Sequence, residues 1–362
     1  NHLKMKIIAE IGVNHNGSLQ IAKNLVSSAK ECGADIVKFQ TFKAKNNISK
    51  FAKVADYQKK NTGTKKSQLE LVEQYELSEN EFIELYQHCK KLDISFLSTA
   101  FDIEALQFLD QFNMPFIKIP SGEITNLFLL QEIGKRNRNV LLSTGMSSLE
   151  EVGSAINILL NCGQNKDNIT VLQCTSQYPA PDNSMNLNAM HTIANEFKVK
   201  YGLSDHSVGI TAAIMAASMG ASIIEKHITF DTNADGPDHK ASIDINEFKK
   251  MVIEVKRVKE LLGSGIKTIH ESEKQTRSIA RKSLVAARDI LKGSVLELDD
   301  FDIKRPGNGI SSFEINKIVG SILKNDILKD QVIQYSDLNI NQDWKPLSIF
   351  NKNNTNPVAF LL

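Results

Sequence analysis

The sequence predicts an α/β protein: a (β/α)8 TIM barrel followed by a small C-terminal domain. Three observations carry this reading. Short β-rich runs alternate with segments of helical period, which implies βα units on a parallel sheet. Eight such runs fall between residues 6 and 229, the count of a closed barrel rather than of an open doubly wound sheet. Each run also ends in polar or charged residues, as strands do where they open onto the catalytic face of a barrel.

Taken in order, KIIAEIG (6–12) carries Glu10, and ADIVKFQTF (34–42) carries Lys38 and Gln40. ISFLSTAF (94–101) ends in Ser98 and Thr99, and PFIKIPS (115–121) in Lys118 and Ser121. NVLLSTG (139–145) supplies Ser143 and Thr144, and ITVLQCTS (169–176) supplies Thr175 and Ser176. The last two runs, VKYGLSDHS (199–207) and ASIIEKHIT (221–229), bring Ser204 with His206 and Glu225 with His227. Between the runs lie segments such as SLQIAKNLVSSAKECG and NEFIELYQHCKKLD, whose apolar residues recur three and four apart. Side chains two apart on a strand share a face, so Ser204 points with His206 and Glu225 with His227. Strands 7 and 8 of a barrel are neighbours, so the two histidines can face one space.

Two imidazoles with water suit a divalent ion such as Mn²⁺, Zn²⁺ or Fe²⁺. Either histidine alone is better explained as a hydrogen-bonded core residue; it is the pair converging at a barrel mouth that favours a metal site. His15 and His239 fall in loops on the same face, where they could join the site or simply lie at the surface. The stretch LLSTGMSSLEEV ends a strand, turns through Gly145 and enters a helix with capping-box spacing at Ser147/Glu150 or Ser148/Glu151. A helix start behind small hydroxyls can receive phosphate, and Lys38 and Lys118 would add charge. The residues alone thus point to a metal-assisted enzyme acting on a phosphorylated small molecule.

Composition narrows the partners. With 43 Lys and Arg against 42 Asp and Glu, the chain has no electrostatic bias toward nucleic acid or an anionic membrane. No segment approaches the roughly 20 apolar residues of a membrane span. Cys32, Cys89, Cys162 and Cys174 are scattered, which reads as reduced thiols in a cytoplasmic protein.

The order of motifs resembles the sialic acid (N-acetylneuraminate) synthase family, including the legionaminate and pseudaminate synthases. The resemblance runs through IIAEIGVNHNGS, ADIVKFQTFKA, FLSTAFD, IKIPSGEITN, LLSTGM, YPAP, GLSDHS, EKHIT and GPDHKAS to ARKSLVAARDILKGSVLELDDFDIKRPGNGIS, nearly the whole chain. It implies condensation of phosphoenolpyruvate with an N-acetylated aldose, either N-acetylmannosamine or a 2,4-diacetamido analogue, to a nine-carbon 2-keto acid and phosphate. It implies a metal held by His206 and His227, with Mn²⁺ as the first choice and Mg²⁺ or Co²⁺ as others. It assigns Lys38, Thr99, Ser121, Ser143 and Ser204 to phosphoenolpyruvate, with Lys118 as a helper. Glu10 and Glu123 become the carboxylates nearest the reacting carbons and sugar hydroxyls, Glu10 for proton transfer. Tyr178 and Asp238 would contact the sugar. Two departures, Ala100 where the family usually has Pro and Gln177 where Glu is common, flank the site and bear on the choice of sugar.

The expected boundaries are a barrel over 1–263, a polar linker with a short helix over 264–280, and an antifreeze-like (SAF) domain over 281–338. A tail over 339–362 has no assigned role. In the resemblance, KRPGNGIS presents Arg305 to the sugar's acetamido group in a partner's barrel, giving a domain-swapped homodimer. Two readings from other classes compete: a Schiff-base lyase using Lys118 or Lys38, and a non-catalytic sugar-binding protein.

Overall fold

A computed structural model describes residues 5–49 and 68–340. The chain divides into two compact units, 1–264 and 265–362. In the first, eight parallel strands form the barrel: β1 (Lys6–Gly12), β2 (Ile36–Thr41), β3 (Ser95–Ala100), β4 (Ile117–Ile119), β5 (Val140–Ser143), β6 (Ile169–Cys174), β7 (Lys200–Asp205) and β8 (Ile223–Thr229). Each pairs with the next in sequence, and β1 pairs back to β8 from Lys6↔Ile223 to Glu10↔His227. That last ladder closes the sheet, so the barrel has no free edge. A two-residue strand, β9 (Ile243–Asp244), continues the ladder from the end of β8.

Local sequence explains the alternation. The helix Leu19–Cys32 starts on Ser18, whose side chain accepts from Ile21 N, and stops at Gly33, which takes the left-handed conformation at φ 87°. Capping boxes open the helices Glu79–Lys91 (Ser78 with Glu81) and Leu149–Asn161 (Ser148 with Glu151). Of the two spacings offered by the sequence, the chain therefore uses the second. Buried faces of these helices, Leu25, Val26, Phe82, Leu85, Val152 and Ile156, pack against the outer wall of the sheet. Phe96 of β3 lies 5.8 Å from Phe39 and 5.5 Å from Phe112, ring centre to ring centre. Burying each such ring contributes about 2–3 kcal/mol.

The second unit has its own apolar centre, including Leu284, Leu296, Ile310, Ile318, Leu323 and Ile333. Around it run two antiparallel pairs, β10 (Ser283–Ala286) with β11 (Phe301–Lys304) and β12 (Ile322–Leu323) with β13 (Leu338–Asn339). Ahead of β10 the polar stretch forms a 3-10 turn, Glu271–Glu273, and a helix, Lys274–Ala280. The tail beyond residue 340 lies outside the described residues. Among those residues no helix is long and apolar enough to cross a membrane.

Candidate active site

The C-terminal ends of the strands converge on a cavity of about 450 Å³. Its floor is charged. Lys38 and Lys118 occupy lumen-facing positions of β2 and β4, both buried, with Glu225 of β8 between them. The Lys118 amine donates to Ser143 Oγ at 2.5 Å and to both oxygens of Glu225 at 3.2 Å. The Lys38 amine donates to Thr99 Oγ1 at 3.3 Å and lies 3.1 Å from Glu10 Oε2 and 3.5 Å from Glu225 Oε2. Ser204 Oγ donates to Glu225 Oε1 at 2.9 Å. One carboxylate thus serves as counter-ion to two ammonium groups.

Electrostatics separates the two glutamates. Burial acts to raise Glu225, but Lys118 and Lys38 outweigh it and hold the carboxyl well below the usual range. Burial pushes Glu10 up to about 7 against the pull of Lys38, with the Glu225 charge adding to the rise. Glu10 Oε1 accepts from Gln40 Nε2 at 3.2 Å, while the buried Oε2 faces the Lys38 amine at 3.1 Å, the contact that opposes the rise. Burial lowers the Lys118 amine, assisted by Lys38 and opposed by Glu225, whereas for Lys38 the attraction of Glu10 and Glu225 overcomes burial and raises it.

Beside this floor stand the two histidines. His206 follows β7 directly and His227 lies within β8, with ring centres 5.4 Å apart and both rings buried. His206 Nδ1 lies 2.7 Å from Thr175 O, and giving its proton to that carbonyl leaves Nε2 as the lone-pair nitrogen. Cys174 Sγ, at 3.7 Å from the same nitrogen, is the more distant neighbour. Burial, helped by His206 and Lys38, drives His227 well below its ordinary pKa, so the ring is neutral. Its Nδ1 is buried without a hydrogen-bond partner, 3.9 Å from Asp238 Oδ2. Two facing imidazoles, one of them with an orphaned nitrogen, fit a divalent cation. Among the described residues no group of three or more His, Cys, Asp or Glu is arranged to hold one, so substrate and solvent would supply the other ligands.

The wall rises from the floor in two halves. On the polar side Tyr178 packs 4.2 Å from His206, ring centre to ring centre, and Asp238 is pushed up to about 6 by burial. Ser121 Oγ accepts from Gly145 N at 2.9 Å, and Glu123 Oε2 accepts from Asn126 Nδ2 at 2.6 Å. The opposite side is apolar, lined by Val13, Phe42, Ile48, Val72, Tyr75 and Phe101.

Most residues singled out in the barrel sequence therefore line one cavity: Glu10, Lys38, Thr99, Lys118, Ser121, Glu123, Ser143, Tyr178, Ser204, His206, His227 and Asp238. Ala100 and Gln177 do not line it. His15 and His239 are neither surface residues nor lining residues. Both are buried; His15 Nδ1 accepts from Gly17 N at 3.0 Å, and His239 bonds Thr229 Oγ1 at 2.7 Å and Asn16 Oδ1 at 3.1 Å. Their polar atoms are consumed in tying loops together. Arg305 belongs to the second unit, where its Nε donates to Ala280 O at 3.1 Å. Gln40 received no role in the sequence reading, although its shared parity with Lys38 already placed it on the lumen face; Glu225, on one face with His227 and expected to orient a ligand or a rim lysine, meets both Lys38 and Lys118.

Comparison with known proteins agrees with this geometry. Residues 25–267 match the NeuB family and residues 281–339 the SAF domain. The chain belongs to the NeuB family, the sialic acid synthases. Among NeuB relatives, the N,N'-diacetyllegionaminic acid synthase of Campylobacter jejuni is 47% identical over 88% of this chain and 96% of its own length. The Legionella pneumophila protein of the same name is 44% identical over 88% and 90%. The crystal structure of N-acetylneuraminic acid (sialic acid) synthetase from Leptospira borgpetersenii, in complex with citrate, superposes with a TM-score of 0.66 at 31% identity. It covers 75% of this chain and 90% of its own.

Proposed function

We propose that this NeuB protein condenses phosphoenolpyruvate with an N-acetylated amino sugar, forming a nonulosonic 2-keto acid and phosphate. The observation that carries the reading is the juxtaposition, in one barrel mouth, of a two-lysine floor, a proton-holding Glu10 and two facing histidines. Lys38 and Lys118, with Thr99, Ser121, Ser143 and Ser204, bind the carboxylate and phosphate of phosphoenolpyruvate. They hold its carbon 3 toward the sugar aldehyde. As that carbon bonds to the aldehyde carbon, the aldehyde oxygen needs a proton. Glu10, about half protonated near neutrality, delivers it. Carbon 2, now electron-poor, takes up a water oxygen, and Glu10 recovers a proton from that water. Phosphate then departs with the electrons of its C–O bond and takes the proton of the carbon 2 hydroxyl, and carbon 2 becomes the ketone. His206 and His227 would hold a divalent cation, Mn²⁺ in our reading, which would supply Lewis acidity toward the aldehyde oxygen.

For the sugar we propose the 2,4-diacetamido-6-deoxy aldose rather than N-acetylmannosamine. The apolar wall of Val13, Phe42, Val72, Tyr75 and Phe101 suits a methyl group in place of a hydroxymethyl, and the named relatives at 47% and 44% identity make the corresponding legionaminic acid. Arg305 is proposed to reach the acetamido group from the partner of a homodimer. Four free thiols suit a reducing compartment, so the cytoplasm is the proposed location.

The test is phosphate release from phosphoenolpyruvate with each sugar, before and after chelation. The expected result is at least tenfold higher kcat/KM for the diacetamido sugar, loss with chelator and recovery with Mn²⁺. The depressed Lys118 amine favours one rival, a Schiff-base lyase. Chelator-resistant turnover, together with an adduct trapped by borohydride and pyruvate, would establish the rival instead.

A further inference from the structure

Behind the two histidines, on the opposite face of the same strands, lies a charged group that no step above uses. Lys226 and Asp205 have no exposure at all, and the Lys226 amine meets Asp205 Oδ2 at 2.9 Å. The same amine donates to Ser207 O at 2.5 Å, and Asp205 Oδ1 accepts from Ser207 N at 2.9 Å and from Ser207 Oγ at 2.6 Å. Asp205 and Ser207 bracket His206 in sequence, and Lys226 precedes His227 directly. His206's own carbonyl accepts from Ala180 N at 2.9 Å. The backbone on both sides of His206 is thus tied to the residue next to His227.

We propose that Lys226 and Asp205 are positioning residues, a buried clamp that sets the register of β7 against β8 and so holds the two imidazoles face to face. The inference rests on the two-histidine cation site proposed above. Three physical points support it. First, β7 and β8 pair as Leu203↔Ile224, Ser204↔Glu225 and Asp205↔Lys226, so the ion pair sits at the last paired step before His206 leaves the ladder. Beyond that step β7 has no further residue paired with β8. Second, side chains alternate along a strand, so a slip of one residue would turn His227 out of the lumen and Lys226 into it. Third, burying an ammonium and a carboxylate gains little net stability, and apolar replacement of such pairs is often neutral or stabilising. A fully buried pair at this place is therefore better explained by the geometry it imposes than by the stability it adds. Lysine suits the task, since a flexible stem carries three donors and two of them are spent on Asp205 and Ser207.

The discriminating variant is Asp205→Leu with Lys226→Met, which fills the space without charge or hydrogen bonds. Metal-free protein is titrated with Mn²⁺, following the free-ion paramagnetic resonance signal, and thermal unfolding is recorded on the same samples. We expect the double variant to unfold within a few degrees of the parent yet to bind Mn²⁺ at least tenfold more weakly. Asp205→Asn keeps the shape and the acceptor for Ser207 N but removes the charge; it serves if the double variant does not fold, and a three- to tenfold weakening is expected there. Parental affinity in either folded variant overturns the clamp. A parent that takes up no Mn²⁺, or His206→Ala that keeps full affinity, overturns the cation site itself and the clamp with it.

Discussion

Glu10 keeps its proton to about pH 7 because burial costs its charged form more than Lys38 returns. Unfolded, the same carboxyl ionises near 4.5. Between those values the folded chain holds a proton that the unfolded chain has lost, so this group lowers stability as pH rises from about 4.5 to 7. Its favourable share is complete below 4.5 and gone above 7. Glu10→Gln removes that dependence: urea unfolding at pH 4.5 and pH 8 should show the parent losing on the order of 3 kcal/mol more than the variant across this window. The same substitution should lower kcat by about 10²–10⁴, the range for a missing general acid. Parallel stability curves, or near-parental kcat, would remove Glu10 from its role. At this scale the sequence was informative where parity alone decides orientation, as for His206 and His227. It put Glu225 beside a ligand or a rim lysine without fixing which, because its partners Lys38 and Lys118 come from strands more than 100 residues away in the chain.

The turns after the strands shape the phosphate pocket, and one of them depends on a missing side chain. Gly145 lies in the turn after β5, where its N–H donates to Ser121 Oγ, and a Cβ there would collide with the hydroxyl of Ser176 and come within 2.8 Å of Ser121 Oγ. Both obstacles are side chains of the pocket itself. Gly145→Ala should therefore displace them, raising KM for phosphoenolpyruvate about tenfold and lowering the unfolding temperature by several degrees. Steady-state kinetics and calorimetry check it, and an unchanged KM would show that the hydroxyls do not contact substrate. Element types were legible because caps and periods are local signals: Ser18, Ser78 and Ser148 each open a helix. Lengths were less so. PFIKIPS reads as a seven-residue strand, yet β4 is only Ile117–Ile119, since Pro120 has no N–H to give a ladder and passes the chain into the 3-10 turn Ser121–Glu123. That early turn is what aims Ser121 and Glu123 into the cavity.

Across the whole molecule, the count of eight polar-ended βα runs pointed to a closed barrel, because that strand number and alternation match the (β/α)8 architecture. The apolar wall was not legible. Val13, Phe42, Val72, Tyr75 and Phe101 come from three separate connections and become one surface only after the barrel assembles. Arg305 raises the remaining question of how many chains make a site. Its stem is fixed by the bond from Nε to Ala280 O, and its guanidinium is exposed, as a group reserved for a ligand would be. Arg305→Ala should raise KM for the sugar tenfold or more while leaving KM for phosphoenolpyruvate within about twofold, the signature of a contact to one substrate. Subunit mixing then locates that contact. Arg305→Ala and His206→Ala proteins should each be deficient alone, but in the proposed homodimer a hybrid pairs an intact barrel with an intact Arg305 on the other chain. If Arg305 serves the partner's barrel, random exchange makes half the dimers hybrid, each with one complete site, and restores about a quarter of parental activity. If it serves its own barrel, no complete site forms in any hybrid, and verified exchange without recovery would assign the whole site to a single chain.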